Sequence, residues 1–309
     1  DGVSKEKILD VLQWGDISWG SMDSAFYGAS NLQINATDTP DLTNVTSMTS
    51  MFRDTDVFNQ SIGSWNVSNV TSMDFMFSGA HSFNQDIVDW NVSAVTSMTA
   101  MFRATTDFNQ AIGNWDVRAV TSMDFMFHFA TSFNQPIGNW NVGTVTTMLA
   151  MFSDASSFNQ DIGNWNVSAV TTMSDMLTNT ALSIENYDSL LDGWSYQSLQ
   201  SNVVFGAGTT QFTNTIEHDR LTGYYNWNIT DGGLVPDTDG DGVDDSADAF
   251  PLDPTESIDT DGDSIGNNTD SDDDDDRILD INDAYPLNAD EDADSDGIPD
   301  VADAFPFDP

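Results

Sequence analysis

The chain has 309 residues, contains no cysteine and carries a formal net charge of −44. Without cysteine there is no disulfide, no thiolate nucleophile and no cysteine-ligated metal. A surface this negative repels phosphate backbones and anionic lipids, which argues against nucleic-acid binding. No run approaches the roughly 20 apolar residues of a membrane helix, so we expect no membrane insertion of this segment. The chain begins with Asp1, and we interpret it as a mature or excised piece whose targeting segment is already gone.

The negative charge is concentrated near the C-terminus. Residues 237–309 hold 27 acidic residues and one Arg, a net charge of −26, whereas residues 1–236 have a net charge of −18. A segment this acidic must bind cations or stay unfolded. The short Gly/Pro segment at residues 231–236 is therefore interpreted as a linker between two parts of different chemistry.

A sequence block occurs five times at a period of 25 residues without insertion or deletion, and residues 58–81 show its first 24 positions as FNQSIGSWNVSNVTSMDFMFSGAH. Its aromatic residues recur as Phe58, Phe83, Phe108, Phe133 and Phe158, and as Trp65, Trp90, Trp115, Trp140 and Trp165. A fixed period of 20–50 residues is the signature of a solenoid, because one repeat cannot bury its own apolar face. The predicted fold class is an α/β repeat, a solenoid of short parallel strands and short helices.

Two local periods are visible inside each block. An apolar stripe at helical spacing predicts a short helix over residues 70–80, formed by Val70, Met73, Met76, Phe77 and Ala80. Alternation of Phe58, Gln60 and Ile62 predicts a short strand. Stacked repeats would align identical residues, and the block's asparagines could then bridge successive backbones, namely Asn59, Asn84, Asn109, Asn134 and Asn159. Asp74 and Asp124 recur at one phase and are expected to be solvated residues at helix starts.

The full pattern F-N-Q-x-I-G-x-W-x-V-x-x-V-T-S-M-x-x-M-F resembles the BspA-like leucine-rich repeats of bacterial surface proteins, over roughly residues 10–233. The resemblance implies a leucine-rich-repeat-like solenoid on an exported protein, and binding rather than catalysis. Residues 1–57 are interpreted as an N-terminal cap with degenerate first repeats, residues 58–180 as the regular repeats, and residues 181–233 as a C-terminal cap.

Residues 234–309 contain four copies of a 12-residue pattern with Asp at positions 1, 3, 5 and 12, an apolar residue at 7, and Asp or Asn at 9. This matches the EF-hand loop, where side chains at 1, 3, 5 and 12, the carbonyl at 7 and often a water held by position 9 surround Ca²⁺. The predicted ligands are Asp237, Asp239, Asp241, Val243, Asp245 and Asp248; Asp259, Asp261, Asp263, Ile265, Asn267 and Asp270; Asp272, Asp274, Asp276, Ile278, Asp280 and Asp283; and Asp292, Asp294, Asp296, Ile298, Asp300 and Asp303.

The four loops depart from the EF-hand pattern in two ways. Position 12 is Asp and not Glu, so bidentate ligation needs a closer approach of the chain. Position 6 favours Gly for its sharp turn; Gly242 and Gly297 comply, whereas Ser264 and Arg277 make the second and third loops the weaker candidates. Ca²⁺ reverses the repulsion between close carboxylates, and Mg²⁺ fits less well because it demands octahedral geometry. The alternative is a disordered, solvated acidic tail.

The separators between loops contain Phe250, Tyr285 and Phe305, which we expect to form a small core. The whole segment resembles type 3 thrombospondin repeats in their bacterial, cysteine-free form. The resemblance implies a rod-like spacer that folds with calcium, with up to about four Ca²⁺ ions. Because binding free energy becomes folding free energy in such sites, removing Ca²⁺ should unfold this part and leave the repeats standing.

The sequence leaves three functional classes to consider. The favoured one is an extracellular protein of the bacterial cell surface for adhesion or ligand binding, with a protein or glycan ligand on the repeat face and a calcium-rigidified stalk. The alternative is a self-assembling subunit of a calcium-dependent filament or surface layer, whose partner is a further copy of the chain. An enzyme is not expected, because no known catalytic motif occurs. If Trp14 and Trp19 bury the first turn, open-ended assembly is disfavoured.

Overall fold

The computed structural model describes residues 10–283 and 285–288. The chain divides into two compact units, Asp1–Leu234 and Val235–Pro309, which we call the repeat unit and the acidic unit. This division falls within the linker segment indicated by the composition. Regular elements occur in the repeat unit, while the described residues of the acidic unit form turns and bends.

The repeat unit has few helices and strands. In chain order they are β1 (Asp10–Val11), β2 (Gln33–Ile34), α1 (Ile184–Ser195), β3 (Val204–Gly206), α2 (Thr215–Asp219), a π-helical turn (Arg220–Tyr224) and β4 (Asn228–Thr230). Strand β1 pairs with β2 and β3 pairs with β4, both in parallel. The 25-residue repeats lie between β2 and α1, and neighbouring repeats are joined by isolated bridges instead of these strands.

Successive repeats pair through single-residue parallel bridges. The bridges join Ser47 to Ser72, Ser72 to Ser97, Ser97 to Ser122, Ser122 to Thr147, and Thr147 to Thr172. Parallel pairing was predicted, but at the wrong place, since residues 58–62 form no strand. That segment nevertheless alternates as predicted, with Phe58 and Ile62 buried in the core.

The segment predicted as a helix, residues 70–80, forms consecutive turns instead. Phe75 and Gly79 have φ values of 56° and 73°, in the left-handed region that a right-handed helix does not contain. Alternate amides therefore point to the next repeat, and the amide of Phe77 donates to the carbonyl of Met101 at 2.9 Å. The backbone hydrogen bonds run between repeats rather than along a helix.

The predicted burial of this stripe is nevertheless correct. Met73, Met76, Phe77 and Ala80 are fully buried. Turns closed by bonds across three residues, such as Met76 N to Met73 O at 3.2 Å and Ala80 N to Phe77 O at 2.9 Å, bring residues three and four apart to one side. An amphipathic helix has the same spacing, so periodicity alone does not separate the two.

Aromatic side chains form continuous stacks through the core. The ring of Phe108 lies 6.1 Å from Phe83 and 6.1 Å from Phe133, nearly parallel to both, and 4.0 Å from Phe102. Each buried ring therefore contacts neighbours in its own and adjacent repeats. Their burial is the main favourable term for stacking the repeats.

Hydrogen bonds from Trp indoles join each repeat to the one before it. Trp115 Nε1 donates to the carbonyl of Ile87 at 3.2 Å, and Trp140 Nε1 donates to Ile112 at 3.1 Å. These bonds satisfy buried polar groups that would otherwise be costly. The same bond recurs at Trp90 and Trp165, because the register of the repeats is unbroken.

Asp74 connects two repeats, contrary to the expectation that it would be solvated. Its Oδ1 accepts bonds from the Ser97 hydroxyl at 2.5 Å and the Thr99 amide at 2.9 Å. Asp124 makes the equivalent bonds with Thr147 and Leu149. Each of these two carboxylates therefore accepts hydrogen bonds from a hydroxyl and a backbone amide of the next repeat.

The N-terminal end of the repeat stack is covered by tryptophan. Trp14 is 4% exposed, and its ring lies 5.3 Å from Trp65 and 6.2 Å from Trp19, edge to face in both cases. Trp19 is partly buried against the same core. The indole of Trp14 therefore shields the first repeat from water.

Helix α1 covers the other end. Ser183 caps it by accepting a bond from the Asn186 amide, and Trp194 continues the indole series by donating to Ile162 at 3.2 Å. A Cβ on Gly193 would lie 2.1 Å from the carbonyl oxygen of Gly163. Glycine at position 193 is therefore what allows the helix to approach the last repeat.

Candidate metal centre

The first acidic loop gathers three carboxylates. Asp237, Asp239 and Asp241 each offer one oxygen, and these oxygens lie within 4.8 Å of one another. The loop is curled around Asp237, which accepts bonds from the amides of Gly240 at 2.8 Å and Gly242 at 3.2 Å. These amide bonds hold positions 1, 3 and 5 on one side of the loop.

The second and third loops repeat this arrangement. Their carboxylate groups within 4.8 Å are Asp259, Asp261 and Asp263, and Asp272, Asp274 and Asp276. The amides at position 7 donate to the carboxylate at position 5 in all three loops, at 2.8 Å for Val243, 2.7 Å for Ile265 and 2.6 Å for Ile278. Each of these three groups could hold a metal ion.

Position 9 closes each loop. The side chain of Asp245 accepts the Thr238 amide at 2.6 Å, while its own amide donates to Pro236 O at 2.9 Å. Asn267 and Asp280 accept from the amide at position 2 of their loops in the same way, at 3.1 and 2.9 Å. The structure therefore gives position 9 a role in closing the loop, and its predicted contact with the ion through a water stays a prediction.

Position 12 lies outside the three groups of close oxygens. Asp248 is nearly buried; its Oδ1 accepts the Phe250 amide at 2.7 Å. Asp270 accepts the Ser271 amide at 2.6 Å. Asp283 accepts the Tyr285 amide at 2.8 Å. Each of these carboxylates therefore accepts a hydrogen bond from a backbone amide just after its own loop.

Several loop carboxylates have buried oxygens with no hydrogen-bond partner among the described residues. In the first loop these are Asp239 Oδ2 and Asp248 Oδ2; in the third they are Asp272 Oδ1, Asp273 Oδ1, Asp276 Oδ2 and Asp283 Oδ2. A buried unsatisfied charged acceptor is costly. A hard cation bound among positions 1, 3 and 5 would satisfy the oxygens of Asp239, Asp272 and Asp276, so the donor set fits such an ion.

The electrostatics agree with this donor set. Burial, followed by the charges of neighbouring carboxylates, raises the pKa of Asp239, Asp272 and Asp276 above the ordinary value of an aspartate. The bond from the Asp263 amide lowers the pKa of Asp261, but burial and nearby carboxylates outweigh it and the net shift is upward. The hydrogen bonds that the protein provides therefore do not offset the burial and mutual repulsion of these carboxylates.

All three described loops make the same sharp turn at position 6. The φ values are 97° at Gly242, 75° at Ser264 and 79° at Arg277. The left-handed conformation costs a non-glycine residue roughly 1–2 kcal/mol. The missing glycines therefore leave the turn intact and add backbone strain to the second and third loops.

The fourth predicted loop lies outside the described residues, which removes Asp292, Asp294, Asp296, Ile298, Asp300 and Asp303 from the comparison. The same is true of Phe305. The small core was predicted wrongly in part, because Tyr285 is 60% exposed and Phe250 is only half-buried. Among the described residues of this unit, the buried apolar side chains are those of Ile278 and Val235. Loop closure brings Ile278 inward, which separator composition did not reveal.

The 12-residue pattern missed one buried acidic residue, Glu256. It is 5% exposed and precedes the second loop. Its signal in the sequence is weak, since it is an ordinary Glu in a Pro-rich separator. Asp273, at position 2 of the third loop, was also missed; there the signal was an Asp where the first two loops have Thr238 and Thr260.

A family model described as a Mycoplasma protein of unknown function, DUF285, matches residues 20–130 and again residues 108–218. The chain belongs to the DUF285 family. The two matches span the stacked repeats and end within the C-terminal part of the repeat unit, so the DUF285 region and the acidic loops are separate parts of the chain. No curated protein matches the chain. Within residues 10–283 and 285–288, no helix is long and apolar enough to cross a membrane.

Proposed function

We propose that this DUF285 protein is a non-catalytic adhesion or ligand-binding protein of the bacterial cell surface. Its repeats form a BspA-like, leucine-rich-repeat-like solenoid that presents the binding face. Its acidic unit is a calcium-rigidified stalk similar to type 3 thrombospondin repeats. The observation that carries the proposal is the recurrence of one carboxylate triad in three loops, in a chain that also contains a stack of repeats with an unbroken register.

Calcium is the proposed ion because of the donor chemistry. Three carboxylates, a carbonyl position and a further Asp at position 12 supply more oxygens than the near-octahedral, water-retaining Mg²⁺ ion favours. Buried oxygens such as Asp239 Oδ2 and Asp276 Oδ2 have no partner among the described residues. Calcium binding would convert this unfavourable charge into folding free energy of the acidic unit.

Ligand binding is proposed for the surface of the repeats. A shallow groove of about 280 Å³ runs across two repeats, and Asn114, Asp116, Arg118, Asn139 and Asn141 are among its lining residues. It is smaller than most small-molecule pockets and is lined by hydrogen-bonding side chains. This surface favours a glycan or a protein loop over a buried substrate.

Self-assembly of copies is the second candidate, and the covered ends of the stack weigh against its open-ended form. Trp14 covers the first repeat and helix α1 packs against the last 25-residue repeat, which leaves less apolar surface of these two repeats for another copy. The acidic units could still join copies by sharing Ca²⁺. That route depends on calcium and is therefore testable.

Static light scattering during a Ca²⁺ titration of the chelator-treated chain separates the two candidates. The stalk proposal predicts a monomeric mass at every Ca²⁺ concentration, with calcium uptake recorded in parallel. A mass that rises with Ca²⁺ and falls on chelation would establish the assembly function instead. A chain that takes up no Ca²⁺ would contradict both.

Binding by the groove is tested with a glycan array and the Asn139→Ala/Asn141→Ala variant. The proposal predicts that a glycan bound by the unaltered chain is lost in this variant. The matched control is Asn44→Ala, an exposed Asn of the first turns, which should keep binding. Equal loss in both variants would contradict a ligand site at the groove.

A further inference from the structure

The third acidic loop differs from the other two in the burial of its grouped carboxylates. Asp276 is 1% exposed and Asp274 is 8% exposed, and both belong to the group whose oxygens lie within 4.8 Å of one another. In the first and second loops none of the three grouped carboxylates is buried, and Asp263, the counterpart of Asp276, is exposed. Position 5 is therefore buried in the third loop and open to water in the second.

The buried carboxylate of Asp276 is only half satisfied by the protein. Its Oδ1 accepts the Ile278 amide at 2.6 Å, while Oδ2 is buried without a hydrogen-bond partner among the described residues. Asp272 Oδ1, at position 1 of the same loop, is in the same state. In the second loop, which the structure describes in full, no grouped carboxylate has such an oxygen. Because a buried charged oxygen without a partner is unfavourable, the third loop has the greater requirement for a cation.

The third loop is also tied to the chain that follows it. Asp274 accepts the amide of Asp276 through Oδ1 at 3.2 Å and the amide of Asn288 through Oδ2 at 2.7 Å. Asp261, the counterpart of Asp274 in the second loop, accepts the amide of Asp263 at 2.9 Å, which is a bond within that loop. An ion among the grouped carboxylates of the third loop could therefore leave only after the loop or the separator moves.

We propose that the second loop releases its calcium ion before the third, so that the second is the exchangeable site and the third the retained one. The inference rests on the proposed calcium function and adds the regulation of its sites. Ligands open to water can be replaced directly by water. Release from the third loop instead leaves a buried carboxylate uncompensated and requires local opening of the chain.

The charges of the two loops favour the same order. Residues 259–270 contain four Asp, a net charge of −4, whereas residues 272–283 contain seven Asp and one Arg, a net charge of −6. The affinity of such loops for Ca²⁺ depends on the number of ligand charges and on the rigidity of the site. Position 9 contributes to the difference, since it is Asn267 in the second loop and Asp280 in the third.

The turn residues do not separate these two loops. Ser264 and Arg277 both lack the glycine that position 6 favours, and their φ values of 75° and 79° are nearly equal. The burial of Asp276 distinguishes loops that the 12-residue pattern ranks together. The second loop is consequently the part of the acidic unit that responds first when the Ca²⁺ concentration falls.

Stopped-flow release from the full chain tests this order. Calcium-loaded protein is mixed at pH 7 with excess quin-2, whose fluorescence records each ion as it leaves. The matched variants are Asp263→Asn and Asp276→Asn, both at position 5, and each keeps an oxygen for the amide at position 7. The phase lost in Asp276→Asn is expected to be about tenfold or more slower than the phase lost in Asp263→Asn, because a buried ion pair is harder to break than an exposed one.

Three results would overturn the inference while the calcium sites stand. They are loss of the slower phase in Asp263→Asn, equal release rates for the phases lost in the two variants, and loss of every phase in Asp276→Asn, which would show that the ions do not leave independently. Persistence of the faster phase in Asp276→Asn shows that the rest of the acidic unit still binds calcium. An unaltered chain that takes up no Ca²⁺ would instead contradict the proposed calcium function itself.

Discussion

The backbone amide of Asn84 donates to the side-chain Oδ1 of Asn59, 3.0 Å away in the preceding repeat. The same bond joins Asn109 to Asn84 and Asn134 to Asn109, each at 3.0 Å. The amide of the following Gln reinforces it, with Gln135 Nε2 reaching Asn109 Oδ1 at 3.0 Å. This series confirms the prediction that asparagines bridge successive backbones.

Asn109→Ala is therefore expected to destabilise the repeat unit by about 1–2 kcal/mol, because the Asn134 amide loses its acceptor and Gln135 Nε2 keeps only the backbone carbonyl of residue 109. The free energy of unfolding is measured by urea denaturation followed by Trp fluorescence. The matched control is Asn114→Ala, an exposed Asn one turn along. Equal stability of the two variants would contradict the role of the series.

The phenylalanine stack gives a second prediction. Phe108→Ala should cost about 3–5 kcal/mol, because it removes a fully buried ring between two neighbouring repeats. Phe129, which is 43% exposed, is the control, and Phe129→Ala should change stability by less than about 0.5 kcal/mol. Thermal unfolding followed by circular dichroism compares them, and similar melting temperatures would argue against a stacked aromatic core.

The sequence was sufficient to predict the buried residues of each repeat, but not the backbone conformation. Identical side chains at a 25-residue period make the ladders predictable, since stacking aligns Phe108 with Phe83 and Phe133. The left-handed residues at Phe75 and Ala100 could not be predicted, because neither residue type favours that conformation. Their turns share the spacing of a helix, and the helix prediction failed for that reason.

In the acidic unit the 12-residue pattern predicted which carboxylates lie together at positions 1, 3 and 5. It did not predict the buried Glu256 or the exposed Tyr285. The burial of Glu256 depends on contacts between a separator and a neighbouring loop, and such contacts have no fixed spacing in the sequence. Asn268, for example, contacts Thr255 and Glu256 across the second loop.

Backbone strain at position 6 leads to a third prediction. Arg277→Gly should raise the calcium affinity of the third loop about five- to tenfold, by relieving roughly 1–1.4 kcal/mol of left-handed strain. Arg277→Ala removes the same charge but keeps the strain, so the difference between the two isolates the backbone effect. Isothermal titration calorimetry reports the affinities.

The converse change is Gly242→Ala in the first loop. A Cβ there meets nothing within 4 Å and φ is 97°, so the added methyl group introduces backbone strain without a clash. Calcium affinity of the first loop should fall by a factor similar to the gain at Arg277→Gly. Unchanged affinity in both variants would show that the turn conformation does not limit binding.

The raised pKa values of Asp239, Asp272 and Asp276 predict opposite pH responses with and without calcium. When the folded pKa exceeds the unfolded value, the stabilising contribution of protonation is present below the unfolded pKa and lost as pH rises through the folded pKa. Without Ca²⁺ the acidic unit should therefore be more stable near pH 4 than at pH 7.

With saturating Ca²⁺ the order should reverse, because protons compete with the ion for the same carboxylates. Differential scanning calorimetry of metal-depleted and calcium-loaded chain between pH 4 and pH 7 measures both responses. The transition of the repeat unit supplies an internal reference. A metal-depleted acidic unit that gains stability from pH 4 to pH 7 would contradict the raised pKa values.

Hydrogen exchange with mass spectrometry, on the chain with Ca²⁺ and with excess chelator at pH 7, tests the central claim most directly. We predict that the amides of Gly242, Ser264 and Ile278, which bond to loop carboxylates, are protected with Ca²⁺ and exchange rapidly after chelation. Amides that join the repeats, such as those of Phe77 and Asn109, should exchange equally slowly in both. Equal protection of the loop amides with and without Ca²⁺ would contradict a calcium-held acidic unit.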